Sequence, residues 1–399
     1  MKGTCSPTST SSGRSSTPAP PPAFDFQPLG RVVFGPGSLA RLGEVARELG
    51  GTRVMLVTDP GLEAAGHPRR AVAAVREAGL EAHVFDGVKE NPTEREVEAG
   101  VVFARTHKVD CIAAVGGGSS MDCAKGVNFL LTNGGRMADY KGHGKATRPM
   151  LPSVGVPTTS GTGSEAQSYA LITDERTHLK MACGDKKAAF RVSILDPEVT
   201  LSQPKSVTAV TGIDAVAHAV EAFVSARRNP LSQVYALAAF RHLEPHFERV
   251  MSHPADLAAR AAMQLGAHFA GMAIEAAMLG VCHSCANPLT AHYGITHGVA
   301  IGVMLPHVIR FNAPAAGDLY AQLAAETGGA NGQPAAEVLA DRVTEMLNAA
   351  GLPRTLKECG VSDTILPLLA EEANQQWTAR FNPRPVDEGD ILHLYRAAW

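Results

Sequence analysis

Two hydrophobic periodicities divide this chain, and the division constrains its fold more than any other feature. From Arg31 to Val156, short apolar runs alternate with stretches of helical period. Arg31–Phe34 (RVVF), Arg53–Thr58 (RVMLVT), Glu81–Phe85, Asp110–Val115 (DCIAAV) and Leu151–Val156 read as strands. Ser38–Leu49, Pro68–Ala78, Thr93–Thr106 and Ser119–Leu131 read as helices, with Ser38 as the N-cap of the first. Strands separated by helices pair in parallel, in a sheet covered on both faces. After about residue 205 the pattern changes. Val207–Arg227, Leu231–Arg249, Pro254–Gly280, Val299–Arg310 and later segments read as successive helices, and no strand is expected among them. The expected architecture is a Rossmann-like α/β domain over residues 24–204 and an all-α domain over 205–399. The boundary falls in Asp196–Pro204 (DPEVTLSQP).

Residues 1–23 (MKGTCSPTSTSSGRSSTPAPPPA) fit neither period. Ten are Ser or Thr, five are Pro and none is acidic, so the segment cannot bury enough surface to offset its ordering entropy. A flexible tail is expected. A targeting peptide is the alternative, although only Lys2 and Arg14 are basic and no amphipathic helix is visible. Lys and Arg total 36 against 39 Asp and Glu, with no basic cluster, which argues against a nucleic-acid partner. No uninterrupted apolar run is long enough to span a bilayer; the best, Ala267–Val281, is broken by His268 and Glu275, so no membrane partner is expected. Seven scattered cysteines do not make a disulfide framework and suit a reducing compartment, hence a cytoplasmic location.

Three loops at expected strand ends carry ligand chemistry. Gly116-Gly117-Gly118-Ser119-Ser120-Met121-Asp122 joins a strand to a helix. Glycines there let backbone approach a phosphate, and a helix N-terminus offers unpaired N–H groups. A tight turn using glycine for positive φ explains the same residues. Asp59, at the end of an earlier strand, can accept from a ribose hydroxyl and so favour NAD over NADP, or can simply form an Asx turn before Pro60-Gly61. Thr158-Thr159-Ser160-Gly161-Thr162-Gly163-Ser164 is hydroxyl-rich beyond the needs of a plain loop, at the strand end where α/β sheets bind ligands.

A second constellation lies in the helical half. Asp214 and His218, four apart, share a helix face, and an Asp oxygen with an imidazole nitrogen can bind one divalent metal. An Asp–His hydrogen bond accounts for the pair equally well. His283 and His297, fourteen residues apart in a Gly/Pro-punctuated stretch, would complete a site of three His and one Asp. His292 lies close enough in sequence to line a pocket. His242, His246, His253 and His268 read as surface or packing residues, and His307 as structural. Cys282 and Cys285 read as small buried residues and not as a redox pair.

Taken in order, FGPGS (34–38), VTDPGL (57–62), NPT (91–93), GGGSSMDCAK (116–125), PTTSGTGSE (157–165), Lys180 in HLKM, DPEVTLSQP (196–204), TGIDAVAHAVEAF (211–223), ANPLTAHYGITHGVAIGVMLPHV (286–308) and FNPRPV (381–386) resemble the iron-containing (group III) alcohol dehydrogenase family. The resemblance runs from about Phe26 to Trp399. It implies a nucleotide-binding α/β domain, a helical metal-binding domain and an active site in the cleft between them. It further implies that Asp59 contacts the adenosine ribose and that Gly117, Gly118 and Ser119 hold the pyrophosphate. Asn91, Asp122, Thr158, Thr159 and Lys180 would lie along NAD, and Asp214, His218, His283 and His297 would bind Fe²⁺. Zn²⁺ is the alternative, since this donor set holds zinc more tightly. The implied reaction is hydride transfer between a primary alcohol held on the metal and C4 of the nicotinamide. The partner is a small alcohol or aldehyde, and the assembly is a homo-oligomer.

One departure stands out. Asn287 occupies a position where many members carry a His that moves the alcohol proton, and an amide is no general base. Asn287 is then expected to orient a water or the nicotinamide amide, with His292 as an alternative relay. Two other activities share the architecture. A hydroxyacid–oxoacid transhydrogenase would need a cation for the substrate carboxylate, and no Arg offers itself. A dehydroquinate-synthase-like lyase would need several Lys or Arg near the metal, and residues 211–223 and 281–299 contain none.

Overall fold

The computed structural model describes residues 23–176, 180–329 and 332–399; the expected tail lies outside them apart from Ala23. The first half runs β1 (Arg31–Phe34), α1 (Leu42–Glu48), β2 (Arg53–Val57), α2 (His67–Glu77), β3 (Glu81–Phe85), α3 (Glu94–Thr106), β4 (Cys111–Gly116), α4 (Gly118–Asn133), β5 (Gly142–His143), β6 (Ser153–Pro157), β7 (Tyr169–Thr173), β8 (Lys180–Gly184) and β9 (Val192–Leu195). Six strands form one parallel sheet in the order β1-β9-β6-β4-β2-β3. Side-chain alternation feeds a core on each face. Val54, Leu56, Cys111, Ala113 and Val115 meet Leu42, Val45 and Val75 from α1 and α2, while Met55, Val57, Ile112 and Ala114 meet Val97, Val127 and Phe129 from α3 and α4. The chain reverses its direction across the sheet between β2 and β4, so the crevice outside those strand ends is the place for a ligand.

Three strands after β6 have no counterpart in the sequence expectations. β9 is four residues long and wholly buried between β1 and β6. β7 and β8 form an antiparallel hairpin in a separate sheet with the two-residue β5. The expected cap is also corrected. Gly37, at φ 75°, precedes a 3-10 turn (Ser38–Arg41), and Ser38 Oγ donates to the Leu195 carbonyl instead of capping. Asp196 accepts from the Gly37 and Leu39 amides at 3.0 Å each, so a carboxylate more than 150 residues away does the capping.

The second half is helical: α5 (Lys205–Val224), α6 (Pro230–Ser252), α7 (Leu257–Ala277), α8 (Val281–Tyr293), α9 (His297–Ala325), α10 (Ala335–Ala350), α11 (Leu366–Asn374) and α12 (Glu388–Ala398). α5 is central, packed by α6, α7 and α9. By length and composition α5 and α9 are apolar enough to cross a membrane, although polar residues interrupt their apolar runs; 83 % and 61 % of their most apolar stretches are buried inside the fold. One face of α7 docks on the α/β half. Gln264 Nε2 donates to the Pro157 carbonyl at 3.0 Å, and Glu275 accepts from Ser168 N and Oγ at 3.0 and 2.7 Å. His268, expected at the surface or in simple packing, is buried and pairs with Glu165 at 3.0 Å.

Candidate metal centre and cofactor cleft

Three helices deliver the metal-type side chains. Asp214 and His218 lie one turn apart on α5, His283 stands in the first turn of α8, and His297 opens α9 after the short connection from Gly294. Asp214 Oδ1 faces all three imidazoles, with His218 Nε2 and His283 Nε2 each at 3.4 Å and His297 Nε2 at 3.8 Å. Asp214, His283 and His297 offer ligand atoms within 4.8 Å of one another. Asp214 Oδ1 and His283 Nε2 are buried without a hydrogen-bond partner. A buried carboxylate oxygen left unpaired is costly, and a divalent cation at their meeting point satisfies both atoms at once.

The electrostatics agree. Burial works against the Asp214 charge, but His218, His283 and His297 outweigh it and hold the carboxyl well below the usual range. Burial depresses the His218 imidazole and pushes His297 down to about 3. At His283 burial also lowers the value, but Glu221 and Asp214 raise it to about 9. Glu221 accepts from His283 Nδ1 at 2.5 Å and from the Cys282 amide at 2.8 Å, which fixes the ring with Nε2 toward the cluster. Sequence reasoning missed Glu221. Its signal was present, since it stands three residues after His218 on the same helix face. The His297 side chain is 27 % exposed against 5–8 % for the other three, so the centre opens on one side, as a site that admits a reactant must.

Of the expected cofactor residues, Asp59, Gly117, Gly118, Ser119, Thr158 and Thr159 follow the ends of β2, β4 and β6. Gly117 is the N-cap of α4, whose first turn has neither an acidic residue nor a side-chain cap, so its N–H groups stay free for an anion. None of Gly116, Gly117 and Gly118 has positive φ, which removes the tight-turn explanation. Sterics explain them instead. A Cβ on Gly118 would stand 2.8 Å from Thr162 Cγ2, and one on Gly117 3.3 Å from Thr159 Cγ2. The Thr158 amide donates to the Gly116 carbonyl, which holds the two loops together. Ser119 Oγ accepts from the Asn91 amide at 3.2 Å, and Asn91 itself takes a positive φ of 52°. Asp59 forms the Asx turn, with Oδ1 accepting from Gly61 N, and its Oδ2 accepts from Ser120 Oγ at 3.5 Å.

Asp122 is buried and accepts from Ser164 Oγ at 2.7 Å. It belongs to a network in which Lys125 Nζ donates to Ser164 O, Ser164 Oγ and Tyr169 O. Lys180 is lowered by burial and supported as a cation by Asp122, Asp214 and Glu90. Asn287, one turn beyond His283, donates to Gln376 Oε1 at 3.2 Å. His292 is not brought to the cluster. It lies nine residues along α8 from His283, about 13 Å of rise, and pairs with Glu372 at 2.8 Å. Cys282 and Cys285 are buried free thiols.

Comparison with known proteins matches this arrangement. Residues 30–197 fit the family described as iron-containing alcohol dehydrogenase, and residues 208–399 fit the C-terminal part of the same family. A 1,3-propanediol dehydrogenase of Citrobacter freundii is 36 % identical over 382 residues, covering 94 % of this chain and 99 % of that one. An NAD-dependent methanol dehydrogenase of Bacillus methanolicus is 32 % identical over 370 residues, covering 92 % and 97 %. The crystal structure of a 1,3-propanediol oxidoreductase superposes with a TM-score of 0.92 at 36 % identity, covering 95 % of this chain and all of that one. The chain belongs to the iron-containing alcohol dehydrogenase family.

Proposed function

We propose that this alcohol dehydrogenase moves a hydride between a small primary alcohol and NAD, with Fe²⁺ as its metal and Zn²⁺ as the alternative occupant. The observation that carries the reading is the unpaired Asp214 oxygen facing three imidazoles beside a glycine-lined crevice. Asp214, His218, His283 and His297 would hold the ion; when bound, it supplies Lewis acidity at the alcohol oxygen while the nicotinamide takes the hydride.

The chain's own residues do the rest. Free N–H groups in the first turn of α4 receive a pyrophosphate, with Ser119 and Asn91 beside it. Asp59 Oδ2 suits a ribose hydroxyl and repels a 2′-phosphate, hence NAD over NADP. Thr158, bonded through its amide to Gly116, and Thr159, against Gly117, close the opposite wall, and Lys180 offers a cation to the cofactor. Asn287 carries no titratable proton, and its amide is tied to Gln376. With His292 paired to Glu372, the alcohol proton leaves through water or a cofactor hydroxyl, and Asn287 acts as an orienting group. The reading also takes the chain as cytoplasmic, homo-oligomeric and divided into two domains between residues 196 and 204.

The test is NADH formation from a panel of primary alcohols, diols and hydroxyacids with protein stripped of metal and reloaded with Fe²⁺ or Zn²⁺. Turnover of free NAD restored by one ion is the expected result. Reloaded protein that oxidises none of the panel overturns the reading.

A further inference from the structure

The crevice beside the metal-type cluster has a wall that the reaction above does not use. Residues 376–378, between α11 and α12, run along α8 and are pinned to it twice. The hydroxyls of Ser284 and Thr378 hydrogen-bond at 2.7 Å, and Asn287 Nδ2 donates to Gln376 Oε1 at 3.2 Å. Ser284 directly follows His283, and Asn287 lies one turn beyond it on the same face. Residue 377 is therefore held within a turn of a metal-type ligand.

The Trp377 indole does not sink into the helical half. It reaches the other half of the molecule and stacks on Tyr169 of β7, centroids 5.9 Å apart and planes 25° apart. Phe381 backs the indole edge-on at 5.8 Å. Tyr169 is equally anchored. Its carbonyl accepts from Lys125, its neighbour Ser168 is held by Glu275 of α7, and its register partner Gly184 leaves the ring room that a Cβ would take away. Tyr169, Trp377, Gln376 and Asn287 are all half-buried, so they border open space and not core.

We infer that Tyr169 and Trp377 form an aromatic gate across the cleft that sets how long an alcohol tail the site accepts. This rests on the alcohol dehydrogenase reading above. Both backbones are fixed, so closure is a matter of the two rings alone. Amides at Asn287 and Gln376 suit the hydroxyl end of the substrate, and the ring faces suit a short hydrocarbon. Short unbranched primary alcohols fit beneath the pair; longer chains meet it.

The test uses the full-length, metal-loaded enzyme. In Trp377→Ala, the kcat/KM ratio of hexan-1-ol to ethanol should rise by about tenfold or more, chiefly through KM for hexan-1-ol. Tyr169→Leu should move the ratio the same way, and Trp377→Phe should keep it near the parent value. A second readout needs no turnover. The chain has two tryptophans, so Trp399→Phe leaves Trp377 as the one indole, and its emission should shift when propan-1-ol is added. An unchanged ratio together with unmoved emission overturns the gate. If the parent enzyme oxidises no alcohol, the dehydrogenase reading fails by itself, and the emission titration alone decides for or against alcohol binding beneath Trp377.

Discussion

The metal-type cluster and the glycine crevice solve opposite problems with opposite materials. The cluster is made of side chains on α5, α8 and α9, all set in the helical core and aimed at one oxygen of Asp214. The crevice is made of backbone, with Gly117 and Gly118 carrying no side chain where Thr159 and Thr162 approach, and Gly116 none where Ser120 does. A point charge needs converging lone pairs on a rigid frame, whereas an extended dinucleotide needs a long surface of donors that can be approached closely. The comparison implies that side-chain changes cripple the first site and that adding a single carbon atom damages the second.

The largest expected effect is at the oxygen shared by the three imidazoles. Asp214→Ala should abolish metal retention and turnover while leaving NADH binding in place, checked by metal analysis beside cofactor fluorescence. A variant that keeps its metal would break the contrast between the two sites. Next is Glu221→Gln, which removes the carboxylate that sets the His283 ring. Metal affinity should fall by about 10–100-fold in chelator competition. Gly118→Ala reverses the pattern: a Cβ there runs into Thr162, so KM for NAD should rise by about tenfold, equivalent to roughly 1.4 kcal/mol, with metal content unchanged. The smallest effect concerns protons. His283 without metal is raised to about 9, so it is protonated at neutral pH and must lose that proton to bind an ion. Metal uptake at neutral pH should release close to one proton, and affinity should weaken further as pH falls. Calorimetry in buffers of different ionisation enthalpy measures the release, and none at all would sink the assignment.

The same contrast explains what was legible in the sequence. Asp214 and His218 could be paired from spacing alone, because a helix converts four residues into one face. Glu221 followed the same rule and was overlooked because a carboxylate on a helix is ordinarily a solvated group. The glycine run was recognisable as special, but its reason was not: Thr162 comes close through tertiary packing of β4 beside β6, which no local pattern contains. The parallel sheet followed from alternation, while β7, β8 and β9 did not: β7 and β8 pair with each other and β5 in a separate sheet, and β9 enters the main sheet between β1 and β6 through tertiary pairing. Ser38 had the right chemistry for a cap and lost the position to Asp196, whose carboxylate arrives from more than 150 residues along the chain. His268 is a packing residue, one of the two readings open for it, and its partner Glu165, in the other half of the molecule, is beyond any local pattern.

The pairing of β1 with β9 has a consequence for how the protein is made. β1 is an edge strand, and its sheet partner along Arg31–Phe34 is the segment Val192–Leu195. The carboxylate that caps the turn after it comes with that segment. A ribosome reaches Asp196 on the order of ten seconds or more after it has passed Leu39, at ordinary rates of elongation. During that interval β2, β3 and β4 have one another to pair with, but β1, carrying Val32 and Phe34, has no partner. β1 thus joins its sheet only when β9 arrives, and the nascent chain carries an open strand through most of the synthesis of its α/β half.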